Sequence, residues 1–128
     1  MGGAPTGSQT LPRARRIKQG RDFARARTQG RRLVQGCLIM NWIVLPPGSS
    51  SRVGVITTKR IGHSPARSRA RRLLREAFRL RQHCLEEPVD LVLIARASIV
   101  GRKFQEVERD FIQVLKRAGL FREEPAQA

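Results

Sequence analysis

The sequence predicts an α+β sandwich with its elements in the order α-β-β-β-α-β-α. Two stretches, 64–85 and 103–119, space their apolar residues as helices do, and four short runs have strand composition bounded by Gly, Pro or Ser. The length of 128 residues allows one hydrophobic core and not two. The expected organisation is a tail over residues 1–12, a single domain over 13–120 and a second tail over 121–128.

The elements follow from local composition. GRDFARARTQG (20–30) has Gly at each end and Phe23 and Ala26 at i, i+3, which reads as a short helix ending at Gly30. RRLVQG (31–36) reads as a first strand turning at Gly36, and CLIMNWIVL (37–45) as a second that runs into the loop PPGSSS. SRVGVITTK (51–59) is β-rich again, and the three strands together suggest an antiparallel meander. Ser64-Pro65 reads as an N-cap followed by Pro at the first helical position. From there Ala66, Ala70, Leu73, Leu74, Ala77, Phe78 and Leu85 recur at the spacing of a buried stripe, and the helix stops before Pro88. VDLVLIARAS (89–98) reads as a central strand. In KFQEVERDFIQVLKRAG (103–119), Phe104, Val107, Phe111, Val114, Leu115 and Ala118 share one helical face and Gly119 ends it. Strand alternation sets Trp42 opposite Ile39, Asn41 and Ile43, and the heavy average burial of Trp favours the core for it.

Charge narrows the function. The chain carries 26 Lys+Arg against 10 Asp+Glu, a formal net charge of +16. Residues 1–81 hold 19 of the basic residues and only Asp22 and Glu76 as acids, whereas 82–128 hold 7 basic and 8 acidic residues. A field so concentrated points to a binding face for a polyanion. No stretch approaches the ~18 apolar residues of a membrane span, and MGGAPTGSQT lacks the apolar run of a signal peptide. Nucleic acid is therefore the expected partner, with no membrane, and the cytoplasm the expected compartment. Cys37 and Cys84 stand apart without a CxxC, and His63 and His83 do not fall at ligand spacing with them, so no metal site is expected. No nucleophile–base pair or carboxylate cluster suggests a catalytic residue.

The second helix concentrates the charge. At ~100° per residue, Leu73, Ala77, Leu80 and Cys84 fall together and Arg71, Arg72, Arg75 and Arg79 fall on the far side. Arg67 and Arg69 sit in the first turn, where the helix dipole disfavours cations. A solvated face usually pairs Arg with Glu at i, i+4, yet Glu76 is the only acid available. The planar fork of Arg suits phosphate oxygens. Ser68 and Gln82 are the other polar groups, which favours phosphate contact over reading DNA bases. Further clusters at Arg13, Arg15, Arg16 and Lys18 and at Lys59 and Arg60 suit a folded RNA rather than DNA.

The residues Thr58-Lys59-Arg60, Gly62, Arg67-Ser68-Arg69, Arg71-Arg72 and Arg75-Glu76-Ala77-Phe78-Arg79 form one long motif. It resembles that of the protein subunit of bacterial ribonuclease P, and the likeness extends over about residues 15–120, from IKQGRDFARARTQG to DLVLIAR and the closing helix. The resemblance implies a left-handed βαβ crossover through the arginine helix, against the usual right-handed default. It implies an RNA subunit that hydrolyses the phosphodiester at the mature 5′ end of tRNA using Mg²⁺ held by the RNA and substrate, with one protein per RNA. It places Lys59, Arg60, Arg67, Ser68, Arg69, Arg71, Arg72, Arg75 and Arg79 toward the RNA subunit and the precursor tRNA. The 5′ leader would lie in a cleft against Phe23, Arg27, Ile39, Asn41 and Ile56, where aromatic stacking is the usual physics. Three positions depart from the family pattern: Ser68 replaces a central Asn, and Arg27 and Asn41 stand where aromatics are common. The alternative is a structural RNA-binding protein of ribosomal type with no part in tRNA processing.

Overall fold

A computed structural model describes residues 15–17 and 20–122. Helix α1 spans Gly20–Gln29, strands β1, β2 and β3 span Arg31–Gln35, Leu38–Val44 and Arg52–Ile56, α2 spans Ser64–Arg81, β4 Val89–Ala95 and α3 Phe104–Ala118. This is the order the sequence predicts. The expected N-terminal tail over residues 1–12 lies outside the described residues, and so do Arg13 and Lys18 of the basic cluster.

The four strands form one mixed sheet in the order β1-β2-β4-β3. Strands β1 and β2, and β2 and β4, pair antiparallel, while β3 and β4 pair parallel. The expected meander therefore holds for β1 and β2 only. Strand β4 is buried almost throughout, so it takes the centre, between β2 and β3. Helix α2 leaves β3 and carries the chain back, and a strand entered that way lies parallel to the one before it. At the hairpin, Gly36 supplies the positive φ of 53° that the two-residue turn needs.

One sheet face carries the main core. Leu38, Met40 and Trp42 of β2 and Leu91 and Leu93 of β4 meet Leu74 and Phe78 of α2 and Phe111 and Leu115 of α3. Trp42 is 6 % exposed and belongs to this core, as expected of it. On the other face Ala26 of α1 and Ile17, which precedes it, cluster with Val92 of β4, with Phe23, Ile56 and Ile94 packed against them.

Helix α2 departs from its expected outline in three ways. His63 is the N-cap residue, without a side-chain cap, and Ser64 begins the helix; the Ser64 hydroxyl accepts from Arg67 Nη2 at 3.3 Å. The helix closes at Arg81, ahead of a 3₁₀ turn over Gln82–Cys84, because Leu85 must turn extended to bridge Phe121. The buried stripe is Ala70, Leu74, Ala77 and Phe78; Leu80 is 38 % exposed, since it lies ~120° around the axis from Leu74. Cys84 is buried within the 3₁₀ turn. Arg122 N–H donates to the Cys84 carbonyl at 2.6 Å, so the fold continues two residues past the expected boundary at 120. Residues 123–128 of the expected C-terminal tail lie outside the described residues. Gly119 ends α3 in the left-handed region at φ 76°, as predicted.

Candidate nucleic-acid interface

Burying one stripe of α2 sends its remaining positions outward. Arg71, Arg75 and Arg79, at i, i+4 and i+8, line one flank beside Arg72. Arg71 donates to Thr57 Oγ1 at 2.9 Å and to Ser68 Oγ at 3.1 Å. Arg67 donates to the Gly62 carbonyl at 3.1 Å, and Arg69 reaches the Arg102 carbonyl at 2.6 Å. These partners orient the guanidiniums without neutralising them. Arg72 is exposed, and neither it nor Arg75 has a carboxylate partner among the described residues. Arg75 lies partly buried, and that burial, with Arg16 and Arg71 close by, lowers its hold on its proton.

Arg79 is different from its neighbours. It donates twice to Glu76, at 2.8 and 2.5 Å, and the pair holds the Glu76 carboxyl below the usual carboxylate range against the opposing effect of burial. Its charge is compensated within the helix. Lys59 and Arg60 are exposed on the 3₁₀ turn Lys59–Ile61, where Thr58 Oγ1 accepts from Arg60 N–H at 3.3 Å and Gly62 closes the turn at φ 127°. Arg15 donates to Gln82 Oε1 at 3.0 Å, which brings part of the N-terminal basic cluster to the end of α2.

The second predicted region lies on the opposite sheet face. Register defines three rows there: Arg52–Asp90–Ile43, Gly54–Val92–Asn41–Arg32, and Ile56–Ile94–Ile39–Val34. At the first row Arg52 clasps Asp90 at 3.0 and 2.6 Å, with Asp22 and Arg25 of α1 within 3.5 and 3.8 Å. Helical spacing turns Phe23 and Arg27 to the other flank of α1, toward the third row. Val92 and Asn41 are buried, whereas Ile56, Ile94 and Ile39 are half-buried and Val34 is 45 % exposed. Phe23 fits beside the third row because Gly54 has no side chain; a Cβ there would stand 2.4 Å from the ring.

Register and helical spacing thus set Phe23, Arg27, Ile39 and Ile56 to the same side of the covered row. Asn41 lies in the covered row at 2 % exposure, and does not form an open wall. Ile94 and Val34 share the third row and escaped sequence reasoning. Apart from Asp90 the run VDLVLIA is apolar at both alternating sets, so register shows which residues face α1. Among the described residues, no group of three or more His, Cys, Asp or Glu side chains is placed to hold a metal ion. Among them too, no helix is long and apolar enough to cross a membrane.

A family model described as Ribonuclease P matches residues 11–119. The ribonuclease P protein component of Syntrophomonas wolfei is 35% identical over 111 residues, covering 87% of this chain and 92% of that protein. That of Gluconacetobacter diazotrophicus is 35% identical over 111 residues, covering 84% and 94%. The fold is shared with the RNase P protein of Staphylococcus aureus, at a TM-score of 0.75 and 23% identity over 84% of this chain and 97% of that one. It is shared as well with the protein from Thermotoga maritima, at a TM-score of 0.70 and 24% identity over 80% and 96%.

Proposed function

Because the chain belongs to the ribonuclease P protein family, we propose that it works as the protein subunit of that enzyme by docking α2 on the catalytic RNA and laying the 5′ leader of precursor tRNA along the groove beside α1. The observation that carries this is the arginines of α2 on both sides of its buried stripe. Arg67, Arg69 and Arg71 are oriented by hydroxyls and carbonyls and not by carboxylates, which leaves their charge for phosphate. Lys59, Arg60, Ser68, Arg72 and Arg75 extend that surface, and the compensated Arg79 lies at its edge. The groove offers Phe23 for stacking and the isoleucine row for the faces of unpaired bases, with Arg27 for the backbone.

Hydrolysis itself falls to the RNA subunit. Asp22 and Asp90, the acids nearest the groove, are engaged by Arg52 and Arg25. Among the described residues the donor set does not fit a protein-held metal, and Mg²⁺ would be held by the RNA and the substrate. The protein acts by orientation and charge, one copy per RNA, in the cytoplasm. The test is cleavage of a 5′-extended precursor tRNA by the cognate ribonuclease P RNA at low Mg²⁺, with and without the protein. Faster cleavage at the mature 5′ end, and none by protein alone, is the expected result. Tight RNA binding without stimulation would instead make it a structural RNA-binding protein.

A further inference from the structure

Helix α1 rests on the sheet with little apolar support. Among its described residues Ala26 alone is buried, and the cluster it joins has Ile17 and Val92 as its other buried members. A methyl group is a small anchor beside the leucines and phenylalanines that seat α2 and α3. The C-terminal end of α1 is held by the chain itself: Gly30 N–H donates to the Ala26 carbonyl at 3.1 Å, and Arg31 pairs with Trp42 of β2. Toward the N-terminal end the holding is ionic. Asp22 lies 3.5 Å from Arg52 of β3, and Arg25 lies 3.8 Å from Asp90 of β4, while Arg52 clasps Asp90 with two hydrogen bonds. The order Asp22–Arg52–Asp90–Arg25 alternates in sign, so each sheet charge meets an opposite charge from α1 and the four sum to zero. Asp90 is 1 % exposed, and charges at such a site are screened less than on an open surface. Asp22 and Arg25 stand at i, i+3 on one flank. Phe23 shares their part of the helix and sets its ring against Gly54.

A helix pinned at one end by its chain and at the other by four charges keeps its tilt only while both hold. We propose that Asp22 and Arg25 are positioning residues, which clasp the first turns of α1 to the Arg52–Asp90 pair and so fix the Phe23 ring at the height where a leader base stacks on it. The stacked base rests on the functional reading above; the clasp on Phe23 does not. Two residues of opposite charge thus serve one end. That separates a clasp from plain attraction of RNA: losing Asp22 adds net positive charge and losing Arg25 removes it, yet either loss frees the same turn.

One Gly54 Hα proton takes the direction in which a Cβ would meet the Phe23 ring, so its resonance in the full chain reports where the ring stands. Asp22→Asn and Arg25→Gln should each move that resonance toward its position in Phe23→Ala, while Asp22→Glu keeps it near the native one. A native resonance in either Asp22→Asn or Arg25→Gln would overturn the shared clasp, whatever the kinetics. A second arm assembles the protein with the cognate ribonuclease P RNA and compares a precursor tRNA bearing a long leader with one bearing a single leader nucleotide. Both variants are expected to raise KM for the long leader about fivefold or more, the worth of one stacked base. Because that contact binds substrate and transition state alike, kcat should hold, as should KM for the short leader. In a Phe23→Ala background Asp22→Asn should add nothing; additive losses would mean a route other than Phe23 and would overturn the positioning role. KM changes of opposite sign in the two variants would assign the effect to net charge and overturn it as well. Unchanged KM beside a displaced Gly54 resonance would remove the clasp from leader binding. If the unaltered protein does not distinguish the two leaders, the functional reading fails while the Gly54 resonance still decides the clasp.

Discussion

Ser68 shows how one hydroxyl can stand in for a different side chain. Its oxygen and that of Thr57 hold the two ends of the Arg71 fork. Removing it leaves Arg71 tied only to Thr57, and a neutral hydrogen bond contributes ~0.5–1.5 kcal/mol. Ser68→Ala should therefore weaken RNA binding roughly two- to tenfold without altering the fold, as read by a binding titration and circular dichroism. A loss beyond a hundredfold would show that Ser68 touches RNA directly. Cys37 gives a prediction in pH. Burial, then the neighbouring Asp110, pushes its thiol from 9.0 up to about 12. A raised folded pKa means the folded state keeps its proton while the unfolded chain ionises. This contribution is therefore fully present below about pH 9 and is lost as pH rises toward 12. Denaturation midpoints measured from pH 8 to 11 should decline more steeply for the native chain than for Cys37→Ala, by up to ~1.4 kcal/mol per pH unit.

Two glycines mark where elements touch. At Gly30 an added Cβ would stand 2.1 Å from the Trp42 carbonyl oxygen and 2.5 Å from that of Ala26, both backbone atoms held in place by β2 and α1. At Gly54 its nearest neighbours would be side chains, the Phe23 ring and, at 3.2 Å, Ile17. The two alanine variants should separate. Gly30→Ala is expected at the upper end of the ~1–3 kcal/mol cost of overpacking, visible as a lower melting temperature. Gly54→Ala should cost less stability because the ring can swing away, but it would push Phe23 over the groove and weaken leader binding. Equal stability losses would mean that α1 cannot relax. Asp110 plays a linking part at this scale, since its carboxylate accepts from Cys37 N–H at 3.0 Å and seats α3 on the hairpin.

At the scale of the molecule, charge and core divide the work. The main core needs only one stripe of α2, so replacing arginines on its outer flank should spare the fold. The triple variant Arg71→Ala, Arg72→Ala and Arg75→Ala is expected to melt near the native temperature, bind RNA more weakly, and show a salt slope lower by ~2. An unchanged slope would show that this flank faces solvent in the complex.

Much of this was legible in the sequence because it depends on local rules. Periodicity located both long helices, Gly119 marked a helix end, and strand alternation put Trp42 and Ile39 on opposite faces. The excess of arginine over acid in residues 64–81 named an anionic partner, because charge needs no fold to be counted. Other features depend on which segments meet. That β4 separates β3 from β2, that Ile94 falls between Ile39 and Ile56, and that Leu85 pairs with Phe121 all require strand register. The joining of Arg16 to Arg75 arises from pairing across the sheet edge, between residues far apart in the chain. The sequence determined which residues carry charge and which seek the core; tertiary pairing decided which of them share a row, a groove or a cavity, because backbone hydrogen bonds are nearly indifferent to side-chain identity.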